Sequence, residues 1–366
     1  MSILVISHFA QNTGTTDHFV DYLDHEHIAF SYLRHPLPES SVHYSQLFEG
    51  NPASTSPSRS YKSRNFFPIE IIRELWLNTK TVISRRKRVS TVICFGSINC
   101  LWALPAAKFL RKKVLFWGVD YSRQRFRNPI FNNFYRWSET VSCKYSDQVV
   151  QPAPLQQEAR IRLHGLDPKK SLVIPNGIES VEPLSQSSSA APALVYSGSI
   201  SDQHGVLQLV ELLANLKTGP KLYIFGTGDR SVELTEMILK RPLETQVKYF
   251  GHRTTAEILK IIQESPYRFI GIAPYAKGGK DHADYGDSLK VKDYLSWGIP
   301  FIASDVVRIE PDLTPFGRVY SSDSDLPAIL TNLDNMHSND PQAQSATIRR
   351  YEWGNLFGKL LKQSAV

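Results

Sequence analysis

The stretch YGDSLKVKDYLSWGIP, residues 285–300, places two lysines and two aspartates at the start of a short helical segment. Asp287 is a residue type suited to the N-cap, Gly298 stands where a left-handed C-cap needs no Cβ, and Pro300 ends the helix. Lys290 and Asp293 are three residues apart, so they share a helix face. An ammonium and a carboxylate so spaced can neutralise a phosphate and accept hydrogen bonds from two adjacent ribose hydroxyls, the combination a nucleotide needs. Lys290 and Lys292 also oppose the positive end of the helix dipole, a conflict that an arriving anion would remove. The plainer alternative is an exposed ion pair contributing some tenths of a kcal/mol.

A second group could move protons. Asp120, in FWGVDYSRQRF, directly follows an apolar run, at the edge where open α/β sheets bind ligands. A carboxylate there could take the proton from a hydroxyl and make it a nucleophile; otherwise Asp120 caps a loop or pairs with Arg123 or Arg125. His8, at the end of the first apolar run, is the other candidate base. Gly14 and Thr15, in QNTGTTDHF, are expected to shape a pocket for the acceptor of such a reaction, with Arg123 and Arg125 nearby. FGTGDR, residues 225–230, offers Gly226 in a turn able to line a phosphate, although the third glycine of a full G-x-G-x-x-G is absent and a plain tight turn fits equally.

These residues need a parallel sheet to present them, and the chain has its pattern. β-Branched and aromatic runs (ILVISHF, HIAFSYL, STVICFG, KVLFWGV, DQVVQ, SLVIP) alternate with segments of helical period, and the second half repeats the plan with ALVYSGS, KLYIFGTG, VKYFG, YRFIGIAP and PFIAS. Two doubly wound domains are expected, over residues 1–177 and 193–345. A Pro/Ser/Ala-rich linker over 178–192 would join them, and an amphipathic helix over 346–366 would follow. Residues 38–64, rich in Ser and Pro, read as a loop facing the site.

With 366 residues, 42% of them hydrophobic, the chain can bury large cores, and no stretch has the roughly 18–20 apolar residues of a membrane span. MSILVISHF reads as a first strand and not as a signal peptide. Cys94, Cys100 and Cys143 suit neither a disulfide framework nor a metal site, so a cytoplasmic protein without a metal is expected. The net charge of +7 comes from residues 1–182. There an apolar stretch (NFFPIEIIRELW) precedes Arg85–Arg88, a pairing that suits an anionic membrane surface unless the apolar face packs on the sheet. No recognised nucleic-acid module accompanies the charge, so nucleic acid is not an expected partner.

The strand end APY (Tyr275), a polar loop and Y-x-D-x-x-K-x-K-D-Y-L-x-x-G-x-P together resemble the donor-binding segment of the GT-B glycosyltransferases. So do IPNGI (174–178), YSGSISDQHGVLQLVELL and YFGHRTTAEILKIIQES, in the same order along the chain. The resemblance implies an α/β fold of GT-B type, two facing Rossmann-like domains with an interdomain cleft. It implies donor contacts from Gly198, Ser199, Gly226, His252, Arg253, Tyr275, Asp287, Ser288, Leu289, Lys290 and Asp293. Many retaining members carry Arg and Lys after the first C-terminal strand, where Ser199 and His204 stand here, and two glutamates eight apart, where Tyr285 and Asp293 stand. Lys290 and Lys292, with Lys277 and Lys280, would replace the missing cations. The run Ser288, Leu289, Lys290 with Asp293 is similar to the nucleotide site of xanthan-type inverting glucuronosyltransferases, so either stereochemistry is compatible. The expected activity is hexosyl or glycuronosyl transfer from a nucleotide sugar, UDP favoured over GDP, to a glycan or lipid-linked acceptor in surface polysaccharide assembly. A nucleotide-sugar epimerase, or a catalytically silent binding protein, is the alternative.

Overall fold

Ile3–Ile6, Val92–Phe95 and Val114–Trp117 are apolar on both faces, as befits central parallel strands covered on both sides, and all are buried. The computed structural model describes residues 2–9, 14–36, 43–63, 67–126, 128–216, 219–240, 243–276, 285–336 and 341–364. The chain divides into two compact units, Met1–Asn176 with Trp353–Val366, and Gly177–Glu352.

Unit 1 is built on β1 (Ser2–Phe9), β2 (Phe30–Pro36), β3 (Tyr44–Phe48), β4 (Arg59–Lys62), β5 (Val89–Phe95), β6 (Lys113–Trp117), β7 (Gln148–Gln151) and β8 (Ser171–Val173). Their order is β4-β3-β2-β1-β5-β6-β7-β8. Helices α1 (Thr15–His25), α2 (Phe67–Ser84), α3 (Ser97–Phe109), α4 (Pro129–Tyr145) and α5 (Pro154–His164) cover the two faces. β3 and β4 pair antiparallel at one edge, so part of the stretch expected as a loop over 38–64 is a hairpin. Residues 37–42 lie outside the described residues.

Unit 2 holds β9 (Pro192–Ser197), β10 (Lys221–Phe225), β11 (Val247–Tyr249), β12 (Arg268–Ala273), β13 (Phe301–Ser304) and β14 (Gly317–Tyr320), all parallel in the order β11-β10-β9-β12-β13-β14. Its helices are α6 (Val206–Asn215), α7 (Ser231–Lys240), α8 (Thr255–Gln263), α9 (Leu289–Ser296), α10 (Leu326–Leu330) and α11 (Pro341–Arg349). Residues 178–192 lie against this unit and do not hang free: Ile178 is buried, Leu184 N donates to Trp297 O at 2.9 Å, and Phe269 N donates to Gln186 Oε1 at 2.9 Å.

The single helix expected over 346–366 is two. It breaks after Arg349, and α12 (Trp353–Ser364) returns to unit 1, where Leu356, Phe357 and Leu360 pack against Phe19 and Trp117. Arg350 and Tyr351 are drawn instead to Asp312, whose carboxylate pairs with Arg350 at 3.1 Å and accepts from Tyr351 Oη at 2.8 Å.

Strand order reverses direction between β1 and β5 in one sheet and between β9 and β12 in the other. Open parallel sheets bind ligands at the carboxyl ends of the strands flanking such a reversal. One detail fixes α9 there. Tyr294 Oη donates to Ile272 O at 3.0 Å and accepts from Ser197 N at 3.1 Å, so its phenol joins the ends of β12 and β9. Gly271 leaves room for that ring, since a Cβ there would lie 2.1 Å from Tyr294 Cγ.

Helix α2 is amphipathic in an unexpected sense. Glu74, Leu77, Asn78, Thr81 and Val82 face inward, whereas Ile69, Ile72, Trp76 and Ile83 are exposed. Arg59 and Arg85–Arg88 line a groove of about 670 Å³ at its end, where Arg85 pairs with Glu49. No helix among the described residues is long and apolar enough to cross a membrane.

Candidate functional site

In unit 2, β9 ends at Ser197 and Gly198 follows at φ 150°. A Cβ at Gly198 would sit 2.4 Å from Lys290 Cε, so only glycine lets the lysine stem cross the backbone here. Lys290 is 8% exposed. Its ammonium lies 4.7 Å from the Tyr275 ring centroid and 5.6 Å from that of Tyr196, and it donates to Tyr275 Oη at 3.4 Å. Among the described residues no carboxylate pairs with it. Two ring faces and a phenol only partly replace the hydration of a buried cation. His204 also faces this cluster: its imidazole is pushed down to about 3, first by burial and then by the Lys290 charge, and Ser201 Oγ lies 2.7 Å from its Nδ1.

The start of α9 departs from the sequence expectation. Ser288, and not Asp287, is the N-cap, accepting from Val291 N and lying 3.2 Å from Tyr275 Oη. Asp287 is taken by Lys292, whose ammonium is 2.6 Å from both carboxylate oxygens and 3.2 Å from Glu310. Lys292 is fully buried, and an ammonium in that position requires carboxylates around it. The expectation that both lysines meet an arriving anion is therefore corrected: Lys292 is neutralised within the fold, whereas Lys290 has no carboxylate partner among the described residues.

Asp293, on the same helix, is half-buried with no hydrogen-bond partner for its carboxylate among the described residues. Burial, reinforced by Glu179, pushes it up to about 7 although Lys290 and Lys292 pull the other way. It makes no ion pair with Lys290, so the plain i,i+3 alternative is not what the helix contains.

The turn after β10 packs on the loop after β9. A Cβ at Gly226 would lie 1.8 Å from Gly198 O, and Ile200 N donates to Thr227 O at 3.1 Å. Gly198, Gly226, Tyr275, Ser288 and Lys290 are thereby brought to one sheet edge. Ser199 is exposed on the same loop, as are Leu289 on α9 and His252 and Arg253 after β11. Lys277 and Lys280 lie outside the described residues.

Unit 1 has a pocket of about 310 Å³ at its own reversal, between the ends of β1 and β5. His8, Gly14, Thr15, Asp120 and Arg125 all line it, but Arg123 does not. Asp120 is exposed and its carboxylate has no partner among the described residues; its carbonyl accepts from Arg160 Nη2 at 3.0 Å. His8 is held on both ring nitrogens. Asn99 Nδ2 can only donate, so at 3.0 Å it faces a bare Nδ1, which leaves the proton on Nε2, 3.2 Å from Glu74 Oε2. Burial alone would raise the Glu74 carboxyl, but His8, His35 and Arg73 hold it below the usual range. Glu139 is committed to a buried pair with Arg160 at 3.0 Å. Asn99, Tyr135 and Glu139 line this pocket without any signal in the sequence, because each sits on a helix as an ordinary polar or aromatic residue. Among the described residues no three His, Cys, Asp or Glu side chains form a metal-binding group.

No protein-family model and no curated protein matches this chain. Solved structures do. A lipopolysaccharide outer core galactosyltransferase, WaaB, aligns over 100% of both chains at 16% identity with a TM-score of 0.70. Anabaena Alr3699/HepE in complex with UDP-glucose aligns over 100% of this chain and 99% of its own, at 13% identity and TM-score 0.71. Sucrose-phosphate synthase from Thermosynechococcus elongatus covers 99% and 98%, at 12% identity and TM-score 0.72. The chain has the GT-B fold. At such identities the likeness is one of architecture. GT-B architecture consists of two doubly wound units, and here each has one cluster of polar side chains at its own strand reversal.

Proposed function

We propose that this protein is a glycosyltransferase whose unit 2 binds a nucleoside diphosphate sugar and whose unit 1 pocket binds the acceptor. The observation that carries the reading is Lys290, a buried ammonium that no carboxylate among the described residues pairs with, beside Gly198 at the edge of a parallel sheet. A diphosphate would supply the counter-charge that the described residues do not. Ser288 Oγ, Tyr275 Oη and the start of α9 stand beside it as further donors. Asp293 offers a carboxylate to the ribose hydroxyls, and His252 and Arg253 lie beyond the neighbouring strand, where the base would extend. The lysine and the helix start would meet the leaving-group charge without a metal.

For chemistry the reading favours Asp120 over His8, because the only bare nitrogen of His8 is occupied by Asn99. Asp120 would take the acceptor hydroxyl's proton as its oxygen attacks the anomeric carbon. The bond to the diphosphate oxygen breaks, and its electron pair leaves with the nucleoside diphosphate, which inverts the configuration. A UDP sugar, carrying a hexosyl or glycuronosyl group, and a glycan or lipid-linked acceptor in polysaccharide assembly remain our choice. HepE was solved with UDP and with UDP-glucose, which supports the base. The exposed Ile72 and Trp76 on α2, with Arg86–Arg88 following the end of that helix, support attachment of unit 1 to an anionic membrane on its cytoplasmic face.

The test is calorimetric titration of the full chain with UDP, GDP and CMP sugars, then turnover with and without acceptor glycans. Micromolar UDP binding with acceptor-dependent release of UDP is the expected result. Turnover that needs no acceptor would replace the reading with an epimerase, and absence of nucleotide binding would end it.

A further inference from the structure

Two buried polar atoms in the unit 1 pocket lack partners among the described residues. Asn99 is fully buried in the first turn of α3. Its Nδ2 donates to Phe95 O at 2.9 Å and to His8 Nδ1 at 3.0 Å, which uses both of its hydrogens. Phe95 O can only accept, so the amide nitrogen must face it and the orientation of the amide is fixed. Asn99 Oδ1 is left without a hydrogen bond, and so is the hydroxyl of Tyr135, a residue 4% exposed on α4. Buried polar atoms are nearly always satisfied, and leaving one bare costs about 1–3 kcal/mol. Both residues line the same pocket, so one ligand could complete both.

The rest of the lining narrows what that ligand is. Asp17 and Asp120 contribute two carboxylates, Glu139 being already paired with Arg160, against Arg125 as the single Lys or Arg among the described lining residues. Arg125 is itself drawn over the Tyr135 ring, 5.6 Å from the centroid. A phosphate or carboxylate would meet two carboxylates of its own sign, whereas hydroxyls can donate to Asp120, Asp17 and Asn99 Oδ1. Phe95, Tyr32 and Val119 provide apolar surface between these groups, as the face of a sugar ring requires. A volume of about 310 Å³ lies at the small end of the roughly 300–1,000 Å³ typical of small-molecule sites. It suits one ring and not an acyl chain.

We infer that the unit 1 pocket accepts a single uncharged, polyhydroxylated sugar ring, and that Asn99 Oδ1 and the Tyr135 hydroxyl determine its specificity. This rests on the glycosyltransferase reading, because it names the acceptor of that reaction as a neutral sugar residue.

Saturation-transfer NMR on the full chain with UDP present tests it, using the methyl glycosides of glucose, galactose and mannose beside glucose 6-phosphate and glucuronic acid. At least one neutral glycoside should bind and neither acid should bind better. Tyr135→Phe, which keeps the ring and loses only the unpaired hydroxyl, should weaken that glycoside about tenfold or more, leave UDP affinity unchanged and melt no lower than the parent. Preference for an acid, binding of no neutral glycoside, or unchanged glycoside binding in Tyr135→Phe would each overturn the inference. Titration with UDP alone separates the two readings, since its failure would sink the glycosyltransferase assignment and not the pocket chemistry.

Discussion

Replacing Lys290 by methionine removes one charge and little else. The stem contacts with Gly198, Tyr275 and Tyr196 are kept, and no carboxylate among the described residues loses a partner. A unit charge about 4 Å from a phosphate is worth about 4 kcal/mol at an effective dielectric of about 20. Much of this replaces solvation that the free diphosphate enjoys in water, which leaves the usual charge-assisted net of about 1.5–3 kcal/mol. Calorimetry should therefore show the Kd for UDP rising about 10- to 150-fold in Lys290→Met. Uridine, which has no phosphate, should bind both proteins alike. The ligand-free variant should melt no lower than the parent, because an incompletely neutralised buried ammonium has been taken out. Equal losses for UDP and uridine would place the lysine at the nucleoside, and unchanged UDP affinity would refute the argument entirely.

Asp293→Asn should discriminate ribose from deoxyribose nucleotides less well than the parent. It should also change the pH dependence of stability. The parent carboxyl titrates near 7 in the fold and near 4 when unfolded, so its folded form is favoured at low pH and that advantage is lost as pH rises from about 4 to about 7. The variant's melting temperature should thus exceed the parent's above pH 7 and converge with it toward pH 4; a constant offset would contradict the assignment. Asp120→Asn should keep UDP-sugar affinity and lose transfer by about 10²-fold or more, and near-parent turnover or a retained anomeric configuration would remove Asp120 as the base. Serine at Arg86, Lys87 and Arg88, with Arg85 left on Glu49, should reduce sedimentation with anionic liposomes, and the parent's binding should fall as salt rises. Parent protein that never sediments would dismiss the membrane.

The parallel strands were legible because both their faces are buried, so they read as continuous apolar runs. β3, β4 and β14 were not: Arg59, Ser60 and Lys62 in β4, and Arg318 and Val319 in β14, are exposed at sheet edges and carry no such run. The α9 helix was found from its Gly298 and Pro300 punctuation, but its N-cap was placed one residue early. Asp287 and Ser288 are equally good caps by type, and the choice between them is made by Lys292, whose burial cannot be read from spacing. The same fact turned two apparent anion-binding lysines into one. In unit 1 the strand-end residues His8 and Asp120 were legible by position, whereas Asn99 and Tyr135 gain their meaning only from partners that they lack.

The Tyr294 hydroxyl, bonded to Ser197 N and Ile272 O, ties α9 to the sheet independently of the chain that leads into the helix. The helix is thus anchored from its middle as well as from its ends. Lys290 rides on the helix that this phenol pins, so the register of the lysine against Gly198 is set by the sheet and by one hydroxyl four residues further along.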